Sequence, residues 1–195
     1  MASATPDPPI PAQPASKWSK IARRIRVPLG FAFAILYIWL ARPTWKSIAL
    51  GIVIAVPGLL IRGLASGHVQ KNEQLTITGP YAYTRNPLYV GTLILTLGFS
   101  IAALSWWIVA AALLIFAAIY LPVIHSEEAF LRGRFPNFDN YASHVPRIVP
   151  RLTAFGNERG IFSWDLYLKH REYNAILGAA AMLAVLAAKL LWMAK

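Results

Sequence analysis

The sequence contains no cysteine, which excludes a disulfide framework, a thiolate zinc site and a cysteine nucleophile. Histidine is scarce too: four imidazoles are scattered without the spacing of a metal site, so no metal is expected. Acidic residues number eight against 19 Lys and Arg, for a net charge of +11 over 195 residues. A basic balance can signal nucleic acid, but no basic, aromatic-interleaved soluble module is present, and no nucleic-acid partner is expected. Only 14% of residues are charged while 57% are hydrophobic, the wrong proportions for a soluble globule. At a mean hydropathy of +0.49 the apolar residues must face lipid as well as one another, and the excess positive charge suits loops beside anionic headgroups. A glycine-rich dinucleotide fingerprint and an alternating strand pattern are also missing, which argues against a Rossmann domain.

What is present is a series of apolar runs. Residues 1–16 hold five of the fourteen prolines and read as a disordered tail, leaving 17–195 as a single membrane domain. Lys17, Lys20, Arg23, Arg24 and Arg26 precede an apolar stretch near 27–41; with Arg42-Pro43 after it and no small-residue cleavage site, it reads as a retained membrane helix. A second helix is expected near 47–64, with Pro57-Gly58 tolerated inside it. The apolar run from Leu88 to Leu121 would be about 50 Å long as one helix against a hydrocarbon core of about 30 Å, so it must turn back. Ser105-Trp106-Trp107 is the natural turn, since indoles favour the headgroup level; this gives a hairpin of helices near 88–104 and 107–124. A fifth helix is expected near 175–192, with Lys189 close enough to its end to snorkel. The expected fold class is therefore all-α, a polytopic membrane protein of about five transmembrane helices plus a cytoplasmic helical and loop segment.

Five crossings place the termini on opposite sides. Fifteen of the 19 basic residues then share one side, leaving Arg42, Lys46, Lys189 and Lys195 for the other. The positive-inside rule makes the N-terminus cytoplasmic and the C-terminus external, with a bacterial inner membrane as the expected location. All eight acidic residues fall on the same cytoplasmic side, so acid-base and ionic chemistry must sit there.

Two polar clusters stand at that boundary. In the first, Gly79 to Gly91, Gly79-Pro80 marks a turn, and Asn86-Pro87 reads as a helix start with Asn at the N-cap. The bland reading is a loop feeding the third helix; the functional one is an anion site formed by the helix N-terminus and Arg85, with Tyr81, Tyr83 and Tyr89 enclosing a flat ring. The second cluster, Glu127-Glu128, falls just after the expected end of the fourth helix, where carboxylates are unfavourable without a partner. Either they pair with Arg132 or Arg134, or one of them accepts hydrogen bonds from ribose hydroxyls or an ammonium group.

Read in order, Gly79, Pro80, Tyr81, Tyr83, Arg85, Pro87, Tyr89 and Gly91, followed by Glu127, Glu128, Leu131, Phe135, Tyr141, Val145-Pro146 and Pro150, form a two-part motif. It resembles the signature of the integral membrane methyltransferases that include isoprenylcysteine carboxyl methyltransferase and phosphatidylethanolamine N-methyltransferase. The resemblance covers roughly Arg62 to Leu152. It implies S-adenosylmethionine (S-adenosyl-L-methionine) as cofactor, held by a helical membrane fold. Carried onto this sequence, it assigns cofactor contacts to Gln70, Glu73, Gln74, Leu75, Thr76, Tyr81, Asn86, Pro87, Leu88, Tyr89, Glu127 and Glu128. Two positions depart from the family pattern. Asn86 replaces a histidine and cannot titrate near neutral pH, and Val123 stands where isoprenylcysteine enzymes carry an arginine for the substrate carboxylate, which argues against a prenyl-cysteine acceptor.

The implied reaction is direct methyl transfer to a small lipophilic or lipid acceptor arriving from the bilayer, with proximity and water exclusion as the main sources of rate. Arg85 would orient an anionic group, and His125 or Glu128 is the candidate base for an amine acceptor. His68, His144 and His170 read as structural or interfacial, while Arg147 suits lipid phosphate or closure over the site. Two rivals remain: an NADPH-dependent reductase of the sterol-reductase type, with Arg147, Arg151 and Arg159 clamping the extra phosphate, and a non-enzymatic membrane scaffold. The identity of the acceptor is left open.

Overall fold

A computed structural model describes residues 17–70, 73–158 and 160–193, and no β-strand occurs among them. The expected N-terminal tail, Lys71, Arg159 and Lys195 lie outside the described residues. The helices are α1 (Lys17–Leu40), α2 (Trp45–Ser66), α3 (Pro87–Ala103), α4 (Trp106–Ile115), α5 (Leu121–Arg134), α6 (Phe138–His144), α7 (Trp164–Lys169) and α8 (Tyr173–Met193), with a 3-10 turn at Gly79–Ala82. Three helical runs, Trp45–Ser66, Trp106–Arg134 and Tyr173–Met193, are long and apolar enough to cross a membrane; Val27–Leu40 and Pro87–Ala103 are shorter apolar helices. The expected turn between the third and fourth helices is present: Leu104 takes left-handed backbone angles (φ 49°, ψ 43°) and closes α3, and α4 begins two residues later.

One boundary differs from the sequence expectation. The fourth helix does not stop near residue 124 but passes through a π-helical turn at Phe116–Tyr120 and continues as α5 to Arg134. Glu127 and Glu128 therefore lie inside a helix, not beyond its end. Pro122 has no N–H to give to the carbonyl of Ala118, which leaves that acceptor to be satisfied from elsewhere. The π turn shifts the register there, with the Leu121 N–H donating to the Phe116 carbonyl, and the Trp18 indole donates to the Ala118 carbonyl at 2.9 Å. The freed acceptor is satisfied and the helix runs on.

The tightest packing joins α2 and α3, which lie antiparallel. Gly51 and Gly58 on α2 face Gly98 and Gly91 on α3: a Cβ on Gly98 would come within 2.6 Å of the Gly51 carbonyl oxygen, and one on Gly58 within 2.7 Å of the Gly91 carbonyl oxygen. Each pair is seven residues apart and so repeats on one helix face, the small-residue pattern by which helices approach in lipid.

One end of the bundle is tied by polar contacts. A capping box of Thr44 and Ser47 starts α2, and the Ser47 hydroxyl also donates to the Ala102 carbonyl at 3.0 Å. The Arg42 N–H donates to the Ala103 carbonyl at 2.8 Å, and the Tyr37 hydroxyl to that of Phe99 at 2.8 Å. Lys189 does not snorkel outward. Its ammonium caps the C-terminus of α1, donating to the carbonyls of Ile38 (2.6 Å), Trp39 (3.1 Å) and Ala41 (2.6 Å). At the opposite end a second small core, Phe138, Tyr141 and Val145 with Leu75, Ile77 and Leu131, supports the polar groups described next.

Gly98→Val forces a branched side chain into the α2 backbone, and overpacking of this kind costs about 1–3 kcal/mol. Its thermal midpoint in detergent should fall clearly below that of the parent, whereas Gly178→Val, at a position with no atom within 4 Å of a built Cβ, should leave it unchanged.

Candidate functional site

Gly79 opens the site. Its φ of +58° is left-handed, and a Cβ there would strike the His68 ring at 2.5 Å, so glycine is required on both counts. The turn aims Tyr81 inward and leads through Arg85 and Asn86 into α3. Asn86 occupies the N-cap position but makes no side-chain capping bond. Its amide instead donates to Glu128 Oε1 at 3.2 Å and to the Arg147 carbonyl at 3.1 Å.

Glu128 is the hub of this end. It is 4% exposed, and Arg147 donates to its Oε2 from Nε (3.0 Å) and Nη2 (2.8 Å), while Arg85 Nε lies 3.1 Å from Oε1. Arg85 also donates to the Ala142 carbonyl at 2.7 Å. Two cations and an amide thus surround one buried carboxylate, the arrangement that makes burial of that charge tolerable. The partners weighed from sequence are not the ones formed: Arg132 pairs with Asp139 at 2.7 Å, on the surface. Glu127 is placed differently. It accepts from the Tyr89 hydroxyl at 3.0 Å and has no arginine partner among the described residues.

These groups border a cavity of about 570 Å3, within the usual range of about 300–1,000 Å3 for small-molecule sites. Ten of the twelve residues assigned to cofactor contact line it: Gln70, Gln74, Leu75 and Thr76 from the connector, Tyr81 from the turn, Asn86, Leu88 and Tyr89 from the start of α3, and Glu127 and Glu128 from α5. Glu73 does not line it and lies 3.6 Å from Lys169 on the surface; Pro87 is buried in the helix start. Arg85 also lines the cavity, with its guanidinium held by Glu128 and Ala142.

None of the four histidines lines it. His125 is exposed, with Nε2 3.3 Å from Arg147 Nη1, and does not line the cavity. Arg147 and Arg151, considered for a phosphate clamp, do not line it either; Arg151 donates to the His144 carbonyl and the Thr153 hydroxyl.

Sequence reasoning missed one wall. Arg62, near the end of α2, donates to Glu172 at 2.6 Å, to the Thr92 hydroxyl and to the Leu88 carbonyl. Arg62, Glu172, Thr92 and Tyr120 all border the cavity. Their only sequence signal was charge at the membrane end of an apolar run, because the partners lie far apart in the chain. Three carboxylates (Glu127, Glu128, Glu172) and two guanidiniums (Arg62, Arg85) line the cavity, and Arg147, paired to Glu128 from outside it, brings the charges into balance.

Tyr81 is 8% exposed, and its hydroxyl has no hydrogen-bond partner among the described residues. Burial pushes its ionisation well above the ordinary phenol value, and Tyr141, Glu127, Tyr89 and Glu172 push it the same way. It is therefore a neutral donor throughout the physiological range. Tyr141 is raised too, by burial, and its hydroxyl donates to the Tyr81 carbonyl at 2.7 Å, which fixes the turn from below.

A second, apolar cavity of about 200 Å3 opens between α1, α3 and α4, lined by residues such as Leu29, Phe33, Leu97 and Phe116. Thr92 and Tyr120 border both cavities. The apolar groove and the polar cavity therefore meet at two hydroxyl-bearing side chains, the second of them on the π turn.

A mixed-charge cavity at one end of a helical membrane bundle, with no sheet beneath it, is a different architecture from that of soluble nucleotide-binding enzymes. The chain belongs to the phospholipid methyltransferase family, whose model matches residues 26–137. It is 36% identical over 126 residues to the cobalt-zinc-cadmium resistance protein CzcN of Cupriavidus metallidurans, covering 64% of this chain and 56% of that one. It is 38% identical over 122 residues to the nickel-cobalt-cadmium resistance protein NccN of Alcaligenes xylosoxydans xylosoxydans, covering 59% and 56%. The chain thus spans little more than half the length of these curated relatives. No solved structure matches it.

The two adjacent carboxylates should separate in their effects. Glu128→Ala strands two arginines, and breaking a buried pair costs about 3–5 kcal/mol, so its thermal midpoint should fall steeply or the chain should fail to fold. Glu127→Ala loses one hydrogen bond, about 1 kcal/mol, and should keep a midpoint close to the parent's. Equal losses in scanning calorimetry would show that Glu128 is not the hub.

Proposed function

We propose that this protein transfers the methyl group of S-adenosylmethionine to an acceptor bearing an apolar chain, at the boundary between membrane and water. The observation that carries the reading is the junction: a polar cavity and a lipid-side groove share Thr92 and Tyr120, so a water-soluble donor and a membrane-borne acceptor can meet without either leaving its own solvent.

The residues present fit the donor. It supplies a methyl group already activated by a positive sulfur, together with an ammonium, a carboxylate and a ribose. Glu127 offers an acceptor for ammonium or ribose hydroxyls, Tyr81 a free phenol donor, and Leu75, Leu88 and Leu131 an apolar wall. Glu127, the lining carboxylate without an arginine partner among the described residues, suits the cationic part of such a ligand. Arg85 and Arg147 hold Glu128 in place, which keeps the start of α3 and the middle of α5 at a fixed separation across the cavity. Water exclusion and alignment are then the chain's chief contributions to rate. A carboxylate or thiolate acceptor needs no base. For an amine, the carboxylates of Glu127 and Glu172 are the proton acceptors within the cavity, since no imidazole reaches it.

The curated relatives are named for resistance to cobalt, zinc, cadmium and nickel. We place this chain in the same setting, with methylation of a membrane component as its contribution.

Isothermal titration of the purified protein should show binding of S-adenosylhomocysteine and none of NADPH. Tyr81→Ala and Glu127→Gln should each weaken that binding about tenfold or more, equivalent to about 1.4 kcal/mol. Binding of NADPH alone, or unchanged affinity in both variants, would sink the assignment. Gly30 borders the groove with no atom within 4 Å of a built Cβ, so Gly30→Phe should fill it. That variant should keep its S-adenosylhomocysteine affinity and lose transfer of radiolabelled methyl to lipid extract; retained transfer would show that the acceptor does not use the groove.

A further inference from the structure

The segment from Pro146 to Lys169 carries large apolar side chains with nothing packed over them. Leu152 is 99% exposed and Ile161 91% exposed, and Val149, Trp164 and Leu168 are exposed as well. Scattered single aliphatics on a surface need no explanation, but five in one short stretch do.

The fold fixes where this stretch lies. The Ser163 N–H donates to the Gly67 carbonyl at 2.9 Å, so the segment is bonded to the residue just past the end of α2. Three residues after α7 the chain enters α8, so Ile161, Trp164 and Leu168 stand within a few residues of two candidate membrane spans. On those spans Leu60, Leu64, Ile176 and Leu177 are exposed apolar side chains of the lipid-facing belt. The apolar side chains of the segment continue that belt past the helix ends. Lys169, which lies 3.6 Å from Glu73, and Arg171 are exposed just before α8, and Arg151 is half-buried in the segment itself; all three are opposite in sign to anionic headgroups.

We infer that residues 149–158 and 160–168 form a strap lying in the interfacial layer of the protein's own bilayer, with Leu152, Ile161 and Trp164 inserted between headgroups. Aromatic and aliphatic side chains flanked by basic residues are the composition that holds a segment at this depth.

The strap is also mechanically joined to the cavity. The Arg151 N–H donates to the Tyr83 carbonyl and the Phe155 N–H to the Ala82 carbonyl, both at 2.9 Å. The Thr84 hydroxyl lies within hydrogen-bond distance of the carbonyls of Pro146, Arg147 and Ile148, the closest being Arg147 at 3.1 Å. These bonds grip the backbone between Tyr81 and Asn86, two residues that line the cavity. The bilayer surface is thereby coupled to the shape of the site, a step that rests on the ligand reading above.

Because the chain has no cysteine, single cysteines can be introduced and labelled with a nitroxide in the otherwise unaltered protein. In nanodiscs of phosphatidylcholine and phosphatidylglycerol, labels at Leu152→Cys and Ile161→Cys should be relaxed more by oxygen than by a water-soluble nickel chelate. They should thus match Leu177→Cys on α8 and oppose Asn157→Cys at the strap's turn. If both instead behave like Asn157→Cys, the strap stands in water and the inference fails. Dipolar broadening between labels, indicating a second copy over the strap, would overturn it equally. Both side chains face outward, so the variants should fold, and an unchanged thermal midpoint checks that they do. S-adenosylhomocysteine titration of Leu152→Glu with Ile161→Glu reads the coupling separately: affinity should fall several-fold in nanodiscs, and unchanged affinity would remove the coupling while leaving the labelling result to decide insertion.

Discussion

The backbones of α2 and α3 touch because four glycines leave no side chain between them. In lipid, burial of apolar surface gives little drive for helix association, so shape and close contact must supply it. The consequence reaches the site. A Cβ on Gly91 would come within 2.6 Å of the Arg62 side chain, so the missing methyl group is also the space through which Arg62 passes to reach Thr92 and the Leu88 carbonyl. One wall of the polar cavity is therefore set by the same contact that holds the two helices in register. From that wall Arg62 reaches Glu172 and so draws the start of α8 toward α2.

Electrostatics then divides the labour between two neighbouring carboxylates. Helical geometry turns residues 127 and 128 about 100° apart, so one can be buried in a cluster of arginines while the next faces a cavity. Glu128 is almost wholly enclosed and neutralised; Glu127 keeps only a tyrosine hydroxyl. The outcome is a cavity in which Glu127 is the lining carboxylate without an arginine partner among the described residues.

The helical fold was legible because apolar runs of membrane length leave few alternatives, and the turn at Ser105 to Trp107 was legible because the run was too long to be one crossing. The course of α5 was not. Pro122 and the polar residues Ser126 to Glu128 look like an exit from the membrane, and only the distant indole of Trp18 and the π turn explain why the helix continues. At the site, the motif residues that converge on the cavity were readable from local spacing, while Arg62 with Glu172 and Arg147 with Glu128 were not, since they pair across 110 and 19 residues of chain. Asn86 was read as a cap from residue type alone; in the structure Glu128, 42 residues away, takes its amide.

The ammonium of Lys189, resting on the end of α1, has a bearing on how the bundle is assembled. α8 buries little of its surface, yet it is fastened at both ends: by Lys189 to backbone about 150 residues earlier, and through Glu172, just ahead of its first turn, to Arg62. Both fastenings join the C-terminal part of the chain to its first two helices. α8 is therefore held less by buried area than by polar ties at its two ends, and the tie at Glu172 also completes one wall of the cavity.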